Sequence, residues 1–236
     1  MSQSPEYIEH IGFVAEVIRT HRTRSASIKI DEGALTVVVP CELPIERIQK
    51  LISDKKRWIK EKLYLQQQAR PTSTREFVSG ESLPYLGRNY RLKVKNGHYQ
   101  PAKLVQGCLV VTIPEDVDGP DIVRNAVLRW YRAHALGRFQ SKAKRWASVL
   151  GVEPRSISIK AFKSRWGSCS AEGNIVLNWR VIMAPNRIVD YVVAHELCHL
   201  RHYDHSAQFW KALGKVIPDY IECKEWLKAN GVDLVM

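Results

Sequence analysis

The chain has 236 residues, of which 45% are hydrophobic, and this composition predicts a folded protein with a proper core rather than a disordered one. Its formal net charge of +12 favours anionic partners, although no nucleic-acid-binding motif accompanies the charge. Five cysteines without a Cys-x-x-Cys pair, no signal peptide and no apolar run of membrane-spanning length predict a cytoplasmic protein without a disulfide framework or a membrane partner.

The first half of the chain is predicted to be rich in β-strands and to contain one long helix. Two alternating strands that each end at a proline, Gly33–Pro40 and Gly107–Pro114, follow shorter strands and predict two hairpins. The helix runs from about Leu43 to Gln68 and leads into the polar stretch Ala69–Thr74, the best linker candidate. A further β-rich segment extends from Glu76 to Ile113.

The second half is predicted to form a separate domain over residues 116–236, after the β-rich region of residues 1–115. Asp121–Leu150 has the apolar spacing of a long helix. The alternating segments Ser156–Lys160 and Asn174–Asn178 follow as the two arms of a hairpin. The predicted fold class is therefore α+β.

Residues 195–199 read His-Glu-Leu-Cys-His, a His-Glu-x-x-His motif that follows a stretch apolar almost all round. This stretch predicts a buried helix capped by Asn186, in which His195 and His199 lie on one face, one turn apart. Both imidazoles can then reach one tetrahedral zinc ion, with Glu196 beside the open position of the metal. Burying these side chains without partners would be costly, and a bound metal removes that cost.

A catalytic zinc ion needs a third protein ligand. His205 lies six residues after His199, the ligand spacing of the longer metzincin pattern, although His202 stands where that pattern has a glycine. A glutamate from a later helix, Glu222 or Glu225, is the alternative. We favour His205, because a break in the helix lets the chain fold back onto the metal.

Four further segments strengthen this interpretation. They are Ser-Arg-Trp-Gly-Ser-Cys-Ser at 164–170, Gly-Asn-Ile-Val-Leu-Asn-Trp at 173–179, Asp-Tyr-Val-Val at 190–193 and Asp-His-Ser-x-x-Phe-Trp at 204–210. With the motif, they resemble the YgjP-like metal-dependent hydrolases, small zincins allied to the SprT-like and WLM groups. The resemblance implies a metallopeptidase-like fold with a sheet, a backing helix and the motif helix. It also implies zinc on His195, His199 and His205, and some relatives are described as UTP pyrophosphatases.

The motif predicts hydrolysis by water that the metal activates. Glu196 lies about 100° round the helix from His195, so it is placed to act as general base and then acid rather than as a ligand. The developing negative charge needs a second electrophile. Arg165 is the first candidate, with Tyr203 and Arg180 behind it.

Three functions from different classes remain open. A peptidase would hold its substrate along an exposed strand edge at Asn174–Asn178. A nucleoside triphosphate pyrophosphatase would hold phosphates with Lys160, Lys163, Arg165 and Arg180. A nucleic-acid-associated protein would use the zinc structurally, although such sites have four protein ligands, most often including cysteine. The predicted substrate, peptide or nucleotide, is anionic, and its candidate binding residues are Asn174, Val176, Asn178, Arg180 and Lys163.

Overall fold

The computed structural model describes residues 6–10, 13–21, 26–31, 34–68, 75–114, 120–162, 164–234 and 236, so the predicted linker Ala69–Thr74 lies outside the described residues. The chain forms two compact units, Met1–Glu81 with Leu92–Arg129 and Ser82–Arg91 with Trp130–Met236. Each unit combines strands with helices, which confirms the α+β class. The predicted domain boundary between residues 115 and 116 stays a prediction. None of the helices in the described ranges is both long and apolar enough to cross a membrane.

The first unit contains a four-stranded sheet in the order β1-β2-β4-β3. Its strands are β1 Glu6–His10, β2 Phe13–Thr20, β3 Ser27–Asp31 and β4 Ala34–Pro40. β2 and β4 are parallel, and the other neighbours are antiparallel. Leu35, Val37 and Val39 alternate along β4 and are almost fully buried, because successive side chains of a strand point to opposite faces.

Two successive helices, α1 Ile45–Asp54 and α2 Lys56–Gln68, pack on this sheet. Their buried isoleucines share one apolar cluster with the sheet valines: Ile48, Ile52 and Ile59. The prediction of one long helix over Leu43–Gln68 is wrong, because the chain leaves the helical conformation at Lys55 (φ −98°, ψ 4°). The isoleucines of both helices face the sheet. Their spacing in the sequence is therefore the same as in one continuous amphipathic helix, which explains the wrong prediction.

A second four-stranded sheet has the order β5-β6-β8-β7. Its strands are β5 Ser82–Tyr85, β6 Arg88–Asn96, β7 Gln100–Val105 and β8 Cys108–Ile113. Gln106 and Gly107 connect β7 to β8 with φ angles of 48° and 77°, as in a two-residue type I′ turn. The hairpin predicted here is confirmed.

The second unit contains most of a long helix, a three-stranded sheet and three C-terminal helices. These elements are α3 Pro120–Leu150, β9 Ser156–Lys160, β10 Gly167–Cys169, β11 Asn174–Asn178, α4 Asn186–Cys198, α5 Ala207–Val216 and α6 Tyr220–Asn230, with 3-10 helices at Trp179–Met183 and Gly231–Asp233. The helix predicted over Asp121–Leu150 is confirmed, and apolar side chains along it, such as Phe139 and Ala143, are buried.

The three-stranded sheet has the order β10-β11-β9, so β11 is its central strand. β11 is antiparallel to β10, through a turn that ends at Gly173 with φ 81°, and parallel to β9. The prediction that β9 and β11 form a hairpin is therefore wrong. β10 is only three residues long and begins with a glycine, so no alternating pattern marks it as the true hairpin partner.

α4 is held against α3 by a buried carboxylate. Asp190 is 9% exposed, and its two oxygens accept hydrogen bonds from Lys142 Nζ and Trp146 Nε1, each at 2.8 Å. Asn186 Nδ2 also donates to Asp190, at 3.3 Å. The prediction that Asn186 caps this helix is therefore wrong. Its side-chain amide donates a hydrogen bond to Asp190, and the N-cap residue is Pro185. These contacts fix the first turns of the helix that carries the motif.

Replacing Asp190 by alanine is expected to lower the free energy of unfolding by about 3–5 kcal/mol, because Lys142 is left mostly buried without its partner. Denaturant unfolding followed by tryptophan fluorescence measures the change. The matched control is Glu225→Ala, since Glu225 and Lys228 form an exposed ion pair at 3.7 Å whose loss costs at most about 1 kcal/mol. Equal losses in the two variants would contradict the anchoring role of Asp190.

Candidate metal centre

Three histidines converge where α4 ends. His195 lies in the last turn of α4, and His199 is its C-cap residue. The chain then reverses: the N–H groups of residues 201 and 202 both donate to the carbonyl of Cys198, at 3.1 and 3.0 Å. This reversal returns His205 to the motif. One ligand atom from each of the three imidazoles lies within 4.8 Å of the others.

The alternative third ligands, Glu222 and Glu225, are engaged elsewhere. Glu222 forms an exposed ion pair with Arg187 at 3.3 Å, and Glu225 pairs with Lys228 at 3.7 Å. Within the described part of the chain, the three histidines form the one cluster of three or more histidine, cysteine or acidic side chains that could hold a metal. The structure thus brings together the set favoured from spacing and leaves the glutamates out.

A phenylalanine supports all three imidazoles. Phe209 is fully buried at the start of α5, and its ring centroid lies 4.9, 4.7 and 4.8 Å from those of His195, His199 and His205. Trp210 stacks on the outer face of the cluster, 5.4 Å from the His205 ring at an interplanar angle of 22°. These contacts restrict the rotation of the imidazoles, so the nitrogens are held in place by packing.

The protonation of the histidines suits metal binding. His199 Nδ1 lies 3.0 Å from the carbonyl oxygen of His202. Since a carbonyl only accepts, Nδ1 carries the proton and Nε2 keeps a free lone pair. Burial, together with the neighbouring histidines and Lys224, lowers the pKa of His195 to about 3, so this imidazole is neutral at physiological pH. Burial also lowers the pKa of His199.

The donor geometry fits a tetrahedral metal ion. The Nε2 atoms of His195 and His205 are 3.0 Å apart. In a tetrahedral zinc site the bond lengths to nitrogen place two such atoms about 3.3 Å apart. Three protein ligands are the composition of catalytic zinc sites, whereas structural sites have four and often include cysteine. Among the described residues, no cysteine joins the cluster.

Glu196 lies beside the cluster and is 6% exposed. Burial raises the pKa of its carboxyl group to about 7, and the positive charge of Arg165 acts in the opposite direction. The carboxylate packs directly on the backbone of β10: a Cβ atom on Gly167 would lie 2.5 Å from Glu196 Oε1. Glycine at 167 is therefore what leaves room for the carboxylate. Sequence reasoning missed this contact.

Arg165, the predicted electrophile, is exposed in the loop before β10. Its guanidinium carbon lies 5.7 Å from the centroid of the Phe162 ring. No ion pair of its guanidinium occurs with another described residue. Its positive charge lowers the pKa of the Glu196 carboxyl group, against the larger effect of burial.

The predicted substrate strand is placed differently from the expectation. Both backbone edges of Asn174–Asn178 are paired, with Val176 opposite Ser168 on one side and Ser158 on the other. The prediction of an exposed edge there is therefore wrong. Within the described residues, β10 pairs with β11 on one side only, so the other backbone edge of Gly167–Cys169 is unpaired.

The polar side chains of β11 have structural partners. Asn178 is 2% exposed, and its Nδ2 donates to the carbonyls of Phe162 and Arg165, both at 3.2 Å. Asn178 thereby shapes the loop that presents Arg165. At the other end of the strand, Asn174 Oδ1 accepts a hydrogen bond from Ser156 Oγ at 2.7 Å.

Three predicted residues remain, and the structure describes two of them, Arg180 and Tyr203. The Arg180 guanidinium packs 5.2 Å from the centroid of the Trp179 ring, and the backbone N–H of Arg180 donates to Asn178 Oδ1 at 3.2 Å. Tyr203 is 71% exposed in the loop between the second and third histidines. Lys163 falls outside the described residues.

Comparison with known proteins adds the family. No curated protein matches the chain. Among solved structures, the crystal structure of the metallopeptidase zymogen of Pyrococcus abyssi abylysin is similar, at 25% identity, over 37% of this chain and 89% of that one, with a TM-score of 0.35. The family model described as YgjP-like, metallopeptidase domain matches residues 24–230, which is most of the chain. The chain therefore belongs to the YgjP-like metallopeptidase domain family and is a metallohydrolase.

Proposed function

We propose that this protein is a zinc-dependent peptidase that cleaves extended peptide segments, with Glu196 as its general base. The observation that carries the proposal is the convergence of three imidazole nitrogens beside a buried glutamate. Neutral imidazoles in a three-ligand arrangement suit zinc better than the oxygen-preferring magnesium or calcium ions. His195, His199 and His205 would hold the metal.

The chain's own groups account for the proton transfers. When bound, zinc would supply Lewis-acid chemistry, making water a better nucleophile near neutral pH and polarising the substrate carbonyl. Glu196 accepts a proton from the attacking water and then donates it to the amide nitrogen as the peptide bond breaks. The products are a free carboxylic acid and a free amine, so one water is consumed for each bond cleaved. Packing on Gly167 keeps the carboxylate in position for both transfers.

Arg165 supplies the second positive charge that the reaction needs. As the water adds, negative charge develops on the carbonyl oxygen of the substrate, and a cation close by stabilises it. The proximity of Arg165 to Glu196, seen in its effect on the pKa of that carboxyl, supports this role. The loop that carries Arg165 is held by the amide of Asn178, which gives Asn178 a positioning role.

The free edge of β10 supplies a way to bind a peptide without reading its sequence. An extended peptide can pair with the unpaired N–H and C=O groups of Gly167–Cys169 and so add a strand to the sheet. Because Gly167 contacts the Glu196 carboxylate, a peptide on this edge passes beside the general base. The corrected sheet order therefore moves the proposed substrate edge from β11 to β10.

Parallel assays of the metal-free and zinc-restored protein on an unfolded protein and on a nucleoside triphosphate panel test this proposal. We expect peptide cleavage that chelation abolishes and zinc restores, with no zinc-dependent release of nucleoside monophosphate. Zinc-dependent release of monophosphate and pyrophosphate without peptide cleavage would overturn the peptidase in favour of the pyrophosphatase alternative, which otherwise stays a prediction. Zinc that raises the melting temperature but supports neither reaction would favour the third alternative, a structural metal.

A further inference from the structure

Lys224 is a basic residue near the metal centre that forms no ion pair with another described residue. Lys224 lies on α6, and its Nζ is 5.2 Å from the centroid of the Trp210 ring. The same ring is stacked on His205 at 5.4 Å and on Tyr220 at 5.2 Å. The ammonium group and one of the candidate metal ligands thus both lie against the Trp210 ring.

The carboxylates near Lys224, on α6 and at its N-cap, form ion pairs with other basic residues. The pairs are Arg187–Asp219 at 3.4 Å, Arg187–Glu222 at 3.3 Å and Lys228–Glu225 at 3.7 Å. Lys224 itself has no ion pair with any described residue. The ammonium group of Lys224 instead lies over a tryptophan that contacts the histidines. We therefore expect it to bind a negatively charged group of a ligand.

Two elements place a positive charge near the metal centre. Lys224 lies on α6 against the Trp210 ring, which stacks on His205, and Arg165 is exposed in the loop before β10. In the proposed mechanism Arg165 serves the carbonyl oxygen of the scissile bond. Lys224 is left to act on another part of the substrate.

We propose that Lys224 is a specificity-determining residue that binds an acidic side chain close to the scissile bond. This inference rests on the proposed peptidase function and adds the substrate class, peptides with an aspartate or glutamate in that position. The tryptophan ring lies against the ammonium group of Lys224 and shields one side of it from water, which strengthens its pairing with a carboxylate. The preference for an acidic over an isosteric amide side chain is expected to be about tenfold in kcat/KM.

The test compares Lys224→Gln with Lys228→Gln, a control on the same helix whose lysine is exposed and already paired with Glu225. Peptide pairs that differ only by glutamate against glutamine at each position around the cleaved bond are assayed with each variant. At one position the wild type should prefer glutamate about tenfold, mainly through KM. Lys224→Gln should reduce the ratio to about one, and Lys224→Glu should favour lysine there. A ratio unchanged by either Lys224 variant would overturn the inference.

Failure of the peptidase proposal gives a different result. Binding of the same labelled peptides to zinc-loaded Glu196→Gln protein is measured by fluorescence polarisation, which needs no turnover. A Lys224-dependent preference in binding without cleavage by the wild type would keep Lys224 as the residue that binds an acidic side chain and would reject the peptidase. Cleavage with no Lys224-dependent preference in either readout would keep the peptidase and reject the role of Lys224. Lys224-dependent binding of nucleoside triphosphates in place of acidic peptides would reject the acidic peptide as the ligand.

Discussion

Replacing Glu196 by glutamine is expected to lower kcat about 10³-fold while leaving the bound zinc unchanged. Glutamine has nearly the same shape as glutamate and still fits against the backbone of Gly167, but it cannot accept a proton from water. The three histidines are untouched by the change, and the carboxylate is not among the atoms that converge on the metal position. Loss of activity without loss of metal therefore separates a general base from a ligand.

The measurement combines zinc content by elemental analysis with kcat on a peptide substrate. Glu225→Gln serves as the control, because it makes the same chemical change at an exposed ion pair on α6. It should retain both zinc and activity. A Glu196→Gln protein with full zinc and wild-type kcat would contradict the assignment, whereas loss of zinc would identify Glu196 as a ligand.

The parts of the candidate site that sequence reasoning could predict are local ones. The spacing of His195 and His199 places them one turn apart on any helix, so their proximity needs no knowledge of the fold. The apolar stretch from Ile188 to Ala194 marks a buried helix because it lacks a polar face, and the structure buries these residues. His205 is predictable for a related reason, since six residues suffice to reverse the chain after a helix.

Strand pairing was harder to predict, because alternation shows that a segment is extended but not which segment lies beside it. Asn174–Asn178 alternates clearly, but its pattern does not show that its hairpin partner is β10 or that both of its edges are paired. β2 also shows the limit: Phe13, Val14 and Ala15 are all buried in succession, so the pattern has no period of two, and no strand is predicted before Ser27. Partners in a sheet are decided by contacts between distant segments.

The same reason explains the residues that were missed. Gly167 lies 29 positions before Glu196 in the chain and carries no chemistry of its own, so only the fold reveals the contact. Lys224 is one of many basic residues on exposed helices, and nothing in its neighbourhood along the chain distinguishes it from Lys228. Its position over Trp210 is a tertiary contact between α5 and α6.

Gly167→Ala is expected to lower kcat by about 10²-fold through a single methyl group. The new Cβ would lie 2.5 Å from Oε1 and 2.7 Å from Cδ of Glu196, too close for any real contact, so the flexible glutamate must move. The backbone at Gly167 does not have a positive φ, so alanine itself causes no strain there. The change thus displaces the proposed general base without removing it, and we expect the histidines to retain zinc.

Gly137→Ala is the matched control for this prediction. Gly137 lies within α3 and has open space where a Cβ would be, so alanine there should leave kcat unchanged and raise the free energy of unfolding by about 0.5–1 kcal/mol. Zinc content, melting temperature and kcat are measured for both variants. If Gly167→Ala kept wild-type kcat at full zinc occupancy, Glu196 would not need the position in which the edge strand holds it. A large loss confined to kcat would show that β10 sets the position of the proton acceptor.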